Sequence, residues 1–539
     1  MRFTDSFLLS SIRSRLRCVF SRLVPHAASL HLRTARRGAR SNDFENAANG
    51  SGSHRFRFVF AVCIAGTVSP VYAQPAHTME SVVEKAILTN PEVLAQFQSL
   101  RSALEGQNIA KGALLPEVNV RGQYGQEWRS NIPNAPSYNW RRHGYTVELR
   151  QLLFDGFVAR NGVRQQGLEK LSSYYELLAT IDNLANEAIN AYLDVRRYRE
   201  MVQLAKDNYQ IHSRTLQLLK DRQISGVGRG VDYEQAAGRL ALAQTNLMTE
   251  TNNLNDVTQR YRRIVGELPP PELALAPDIT DDLPIGPVDF TVSLRRNPSV
   301  LSKQALLLAS NAARDAAKGR FSPTVHFVAS TGTDREQPSE AYRDVQSSKV
   351  EVVLSYNLYR GGADSARLRQ ASAQRYVARD VRDYTCRNAQ QELALAWNNI
   401  ARLREQLPFL RQHQDAMSKV RVAAEQQFQI GQRSLLDLLD TSNELFDARR
   451  ALLNGQYDFK QYQYRWLALS HMVLPALGIA PPHQEAPDEG EQLDFKSDAL
   501  ASCIAPVPDI SNLKPLSVTY HEGMHPPTLS PLATPATAQ

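Results

Sequence analysis

Cysteine is scarce, with four residues in a chain of 539, and two of these, Cys18 and Cys63, precede residue 73. The other two, Cys386 in a helical pattern and Cys503 in a polar tail, suggest neither a disulfide framework nor a metal site. The twelve histidines fall singly, and the chain shows no nucleophile elbow and no Cys/His pair. No enzyme chemistry, metal or cofactor is therefore expected. Long apolar runs are also missing. After residue 73 nothing approaches the roughly 18 uninterrupted apolar residues of a membrane-spanning helix, so a mature chain that crosses a membrane does so as strands. A basic folded body is absent as well. The formal charge is +7, but residues 1–57 hold eleven arginines against Asp5, Asp43 and Glu45, a local +8 that leaves 7 − 8 = −1 for the rest. A nucleic-acid partner, which needs a basic face, is not expected.

What the chain does have is a duplication. Ile224-Ser-Gly226-Val-Gly228-Arg-Gly-Val-Asp232 and Phe428-Gln-Ile-Gly431-Gln-Arg433-Ser-Leu-Leu-Asp437-Leu-Leu-Asp440 each interrupt a long helical pattern. Gly226 and Gly431 stand 205 positions apart, as do Asp232 and Asp437. Asn90-Pro91 returns as Asn297-Pro298, Leu115-Pro116 as Ser322-Pro323, and Asp155-Gly156 as Arg360-Gly361. A period this long means two copies of one large module, not a solenoid. The first Gly-rich tip follows a helix and lacks the Lys-Ser/Thr ending of a phosphate loop, so it reads as a helical hairpin turn.

Residues 1–73 are expected to be an N-terminal extension and signal peptide, built from Arg55-Phe-Arg57, the apolar run Phe58–Val68 and the small-residue ending Val71-Tyr72-Ala73. An organelle transit peptide is the alternative for this Arg-rich start. Residues 74–266 form the first repeat, 267–297 a Pro-rich linker with no helix, 298–478 the second repeat, and 479–539 a disordered Pro/Ser/Thr-rich tail.

Within the first repeat, Val118, Val120 and Tyr124 alternate with Asn119, Arg121 and Gln123, and Tyr145, Val147 and Leu149 alternate with Thr146, Glu148 and Arg150. Period two with one apolar face is strand alternation. Strands are expected over about 116–128 and 140–154, and in the second copy over about 322–334 and 347–359. An ordinary half-buried sheet would show the same pattern. Trp128, Tyr138 and Trp140 near the first turn favour a membrane, because aromatic residues collect at its interfaces.

Beyond Gly156 a proline-free helical pattern reaches Arg222, with a stripe from Leu168 through Tyr175, Ile181 and Tyr192 to Val195. A second stripe runs from Ala389 to Leu410, crossed by Pro408, where a kink is expected. Four strands cannot close a barrel, and lipid tolerates no open sheet edge. Closure and burial of the stripes both call for further copies of the chain.

On Asn90-Pro91-Glu92, Leu152-Leu-Phe-Asp-Gly156 and Gly431-Gln-Arg-Ser-Leu-Leu-Asp437-Leu-Leu-Asp440, the chain resembles the TolC family of outer-membrane channels across residues 79 to about 478. The resemblance implies an α+β membrane protein of the cell outer membrane. Its fold would be a trimeric 12-stranded transmembrane β-barrel, four strands per chain, continued by a long α-helical barrel through the periplasm. It further implies an export duct with a periplasmic adaptor (membrane fusion) protein and an inner-membrane ABC or RND-type transporter as partners. Type I protein secretion is the first reading and multidrug or small-molecule efflux the second. A periplasmic coiled-coil scaffold is the reading from a different class. By the same resemblance Asp437 and Asp440 line a periplasmic constriction open to cation block, and Arg433, Phe428 and Asp232 form its latch. Phe428 stands where the family has a tyrosine. Without the resemblance, the two aspartates are acids in a solvated first helical turn, favoured there by the helix dipole.

Overall fold

The computed structural model describes residues 77–130, 138–227, 229–284, 290–336 and 343–480, all within the unit Gln74–Gln539. The signal segment, Gly228, Cys503, the tail from 481 and the Tyr138 side chain lie outside the described residues.

Each repeat opens on an Asn-Pro step that does the same two jobs. In the first, helix α1 (Met79–Thr89) gives way to α2 (Pro91–Gly112). Asn90 Oδ1 accepts the Glu92 amide at 2.9 Å, and its Nδ2 donates to the Ile264 carbonyl at 3.0 Å. Asn caps a helix this way because its side chain satisfies an amide with no partner in the helix, and Pro follows because its missing N–H would be unused there. Two hairpin strands come next, β1 (Glu117–Arg129) and β2 (Tyr138–Phe154), then the helices α3 (Val158–Ile224) and α4 (Gly230–Val265). After the linker helix α5 (Phe290–Arg296), the second repeat runs α6 (Pro298–Gly319), β3 (Thr324–Glu336), β4 (Arg343–Ser355), α7 (Ala363–Gln429) and α8 (Leu435–Leu469), closed by α9 (Val473–Ala476). There Asn297 Oδ1 accepts the Val300 amide and its Nδ2 donates to the Leu469 carbonyl at 2.9 Å. Asparagine thus pins each descending helix to the end of the one that returns.

α3 and α7 have 67 residues each, about 100 Å at 1.5 Å per residue, and α7 is continuous through Pro408. The stripe from Leu171 to Val195 is buried, as are Ala389, Leu393, Ala396, Ile400 and Leu403. Ile181 to Val195 and Ala389 to Ile400 feed one core with Tyr261, Leu294 and Tyr464, while Leu171, Tyr175 and Leu178 pack with Ala305 in a smaller one. Among the described residues no helix is long and apolar enough to cross a membrane.

The four strands form one antiparallel sheet in the order β1-β2-β3-β4, with one side of β1 and one side of β4 unpaired among the described residues. Val118 pairs with Leu149, Leu149 with Ala329, and Ala329 with Val350, so these residues share one face. On it Val118, Val120, Tyr124, Trp128, Val350, Val352 and Leu354 are all exposed by 60% or more, an apolar surface that nothing among the described residues covers. The opposite face is ionic. Arg142 bonds Asp334 and Glu127, and Lys349 Nζ lies 2.6 Å from Glu351. The helices keep the order of the strands they continue, since α2 packs on α3, α3 on α6 and α6 on α7.

Four expectations need correction. β4 stops at Ser355, not near 359, because Ser355 pairs with Thr324, the first residue of β3, and Pro323 before it has no amide to extend the ladder. Trp140, one of the three aromatics expected to mark a membrane interface, is instead 4% exposed on the ionic face opposite Glu127 and donates its indole N–H to the Arg335 carbonyl. The linker does contain a helix, α5, because its prolines end at Pro287 and leave Phe290–Arg296 free to coil. Its proline-rich carbonyls are taken up by α3. Arg199 donates to Pro270 and Pro271, Arg196 to Leu273 and Ala274, and the Tyr192 hydroxyl to His77 and Ala274. Finally, Cys386 is wholly buried and disulfide-bonded. A bridge depends on proximity in space, which sequence spacing does not reveal.

One pair, buried on the Asp182 side and half-buried on the other, ties the repeats together. His471, in the left-handed region at φ 57°, places Nδ1 2.6 Å from Oδ2 of Asp182 on α3, whose side chain is 5% exposed. Burial pushes the Asp182 carboxyl up against the pull of His471. Burial works against the His471 imidazolium, but the bond and charge of Asp182 outweigh it and raise its pKa. With both values raised, the folded state holds more protons than the unfolded one, so stability falls as pH rises through these groups. His471→Gln is therefore expected to flatten the loss of thermal stability as pH rises above the ordinary histidine value of 6.5, the range in which the raised imidazole gives up its proton. Melting curves across that range check it.

Candidate functional site at the hairpin tips

At the first tip α3 ends at Ile224 and the chain turns at Gly226, φ +74°; at the second α7 ends at Gln429 and turns at Gly431, φ +76°. Only glycine takes this conformation without strain. The closing bonds match. Gly226 N donates to Gln223 O and Val227 N to Arg222 O, while Gly431 N donates to Phe428 O and Gln432 N to Gln427 O. This is the double bond of a Schellman stop, made twice.

Beyond the second turn, Ser434 caps α8 by accepting the Asp437 amide at 3.1 Å. Leu435, Leu438 and Leu439 are buried, at the spacing that puts one apolar face against the neighbouring helices. Asp437 and Asp440 consequently fall on the open side, with side chains 54% and 53% exposed. Asp437 Oδ2 lies 3.9 Å from Arg433 Nε, and Arg433 Nη1 also donates to Gln427 Oε1 at 3.2 Å. Asp440 is held from the other hairpin, its Oδ1 2.5 Å from Arg239 Nη2 of α4.

Phe428 packs on a small core of Leu219, Ala236, Leu435 and Leu439, with the Arg222 guanidinium 5.2 Å from its ring centre. Cation–π contact of this kind is open to phenylalanine as it is to tyrosine. Asp232 sits in the first turn of α4, half-buried, and makes no ion pair among the described residues. The structure thus brings Arg433 to Asp437 within the chain, and gives Asp440 and Phe428 partners that periodicity does not predict. Sequence reasoning misses Arg239 and Arg222 because each acts across the two repeats. The available signal is that Arg239 lies seven residues after Asp232, two helical turns along the same face.

A family profile described as outer membrane efflux protein matches residues 82–267 and 291–469. The outer membrane efflux protein BepC of Brucella suis biovar 1 (strain 1330) is 25% identical over 427 residues, covering 78% of this chain and 91% of that protein. The outer membrane protein TolC of Escherichia coli (strain K12) is 25% identical over 404 residues, covering 71% and 80%. Among solved structures, the outer-membrane channel OprN superposes with a TM-score of 0.66 at 21% identity, covering 75% of this chain and 90% of that one.

Proposed function

The chain belongs to the outer membrane efflux protein family, and from that premise we propose that three copies assemble into one export duct across the outer membrane and periplasm. The observation that carries this is the sheet. Its unpaired edges on β1 and β4 border an uncovered apolar face, so the β4 edge of one copy meets the β1 edge of the next and three sheets close twelve strands. The helices support the same closure, because α2 and α7 flank the helical layer as β1 and β4 flank the sheet. They carry exposed Ile109, Tyr376, Val377 and Tyr384. Residues 1–73 direct export and are removed.

In this reading the duct receives cargo from an inner-membrane transporter through a periplasmic adaptor. The tip sequence Gly431–Asp440 favours type I protein secretion. The name of BepC, an outer membrane efflux protein, favours efflux. Deleting the gene separates them, since loss of a secreted protein supports the first and sensitisation to small toxic compounds the second. A soluble scaffold would leave the outer-membrane fraction and show no heat-modifiable migration in detergent.

Asp437 and Asp440 line the periplasmic entrance, Gly226 and Gly431 turn the tips, and Arg433, Phe428 and Asp232 help hold the entrance shut. Six carboxylates about one axis invite a multivalent cation. Replacing both aspartates by alanine is expected to abolish block by a trivalent cation in planar bilayers without changing assembly. Unchanged block in the double variant removes these residues from the constriction.

A further inference from the structure

The two carboxylates at the entrance stand in unequal surroundings. Asp440 is met at 2.5 Å by Arg239, a residue of the other hairpin. Among the described residues Asp437 has only Arg433, at 3.9 Å, as an ionic partner, and that guanidinium is shared with Gln427. Both members of the closer pair are substantially open to solvent, Arg239 by 35% and Asp440 by 53%. An ion pair so exposed contributes little as a mechanical clasp, because water screens it and two long side chains must be ordered to make it. Its charge is another matter. A guanidinium stays protonated at any accessible pH, so the carboxylate it touches presents almost no net charge to an ion arriving at the tip. Asp437, without a contact of that quality, keeps its field.

We propose that Arg239 sets the charge selectivity of the entrance: it neutralises Asp440 within each chain, so that recognition of a multivalent cation falls to the ring of Asp437. This rests on the reading of Asp437 and Asp440 as the constriction, and goes beyond it in making the two rings inequivalent and naming the residue responsible. The site taken by the cation is then a ring of three carboxylates one helical turn nearer the tip, with a second ring masked behind it. Removing the mask exposes that second ring, and three further charges about one axis reinforce one another.

The test uses the full-length assembled protein in planar bilayers with lanthanum ion as the probe. Asp437→Asn is expected to weaken block about tenfold, the change that a charge-assisted contact typically carries. Asp440→Asn in the otherwise unchanged protein is expected to shift block less than about twofold, because a masked charge is being removed. Arg239→Gln is expected to strengthen block about tenfold, and adding Asp440→Asn to it should cancel the gain, a coupling read directly from the double-mutant cycle. Arg239→Lys keeps the charge and should behave like the parent. If Asp440→Asn alone weakens block as much as Asp437→Asn, Arg239 masks nothing and the inference is overturned while the entrance reading survives. If neither aspartate variant nor the pair together alters block, the entrance reading itself fails and takes the inference with it. Should Arg239→Gln assemble poorly, the two single aspartate variants still decide.

Discussion

Arginine at Val147 or Val352 is expected to remove the assembled protein from the outer membrane. Val147 pairs with Val120, and Val352 with Phe327, on the face where the neighbouring valines, Tyr124 and Leu354 stand uncovered. An arginine on the lipid face near the midplane costs about 2–4 kcal/mol, and a trimer bears that cost three times. On the other face the same substitution meets an ionic lining. Ser355→Arg should assemble normally, and Thr146→Arg, opposite Arg121, should lose less than about 1 kcal/mol through like-charge repulsion. The measurement is the heat-sensitive oligomer band in purified outer membranes. Equal losses from both faces would mean that the apolar face is not the one that meets lipid.

The second large effect lies at the junction of strands and helices. Gly156, φ +70°, and Gly319 pass so closely that a Cβ built on either would sit 2.3–2.4 Å from the other's carbonyl oxygen. Gly156→Ala therefore incurs both the left-handed backbone strain of about 1–3 kcal/mol and an overpacking cost of similar size against main chain that cannot rotate away. Gly361, φ +62°, has nothing within 4 Å of the same construction. Gly361→Ala thus isolates the backbone part. Thermal unfolding of the two variants should differ by at least about 1 kcal/mol with Gly156→Ala the worse, the low end of an overpacking penalty. Indistinguishable midpoints would show that the crossing yields at no cost.

Much of the architecture is readable in the chain because it is periodic. Alternation at Val118–Tyr124 and Tyr145–Leu149 marks the strands and their apolar face, and the 205-residue offset alone aligns Gly226 with Gly431. The parts that escape are those set by what comes near from elsewhere. The end of β4 depends on where β3 begins, and the burial of Trp140 depends on the Arg335 carbonyl that β3 brings to its indole. The Arg239–Asp440 and Arg222–Phe428 contacts join residues about 200 positions apart, and the bridge at Cys386 likewise depends on what folding brings beside it. A pattern within one helix cannot announce them. The Asn-Pro steps show the intermediate case. Their capping role is local and legible, whereas their bonds to Ile264 and Leu469 are not.

The unpaired flanks of β1 and β4 also govern how the duct comes into being. Each is a 13-residue strand with hydrogen-bonding groups on one side left over after folding of the single chain. In the proposed trimer such a chain is a reactive intermediate, and the rate of barrel formation rises more steeply than in proportion to its concentration. A self-contained fold would form at a rate independent of dilution. Below some level of synthesis, encounters become slow, and the same bare flanks are free to pair with any extended segment they meet. Gene dosage and chaperone supply then set the division between finished channels and aggregate, and a change in expression alone alters the yield with no substitution in the protein.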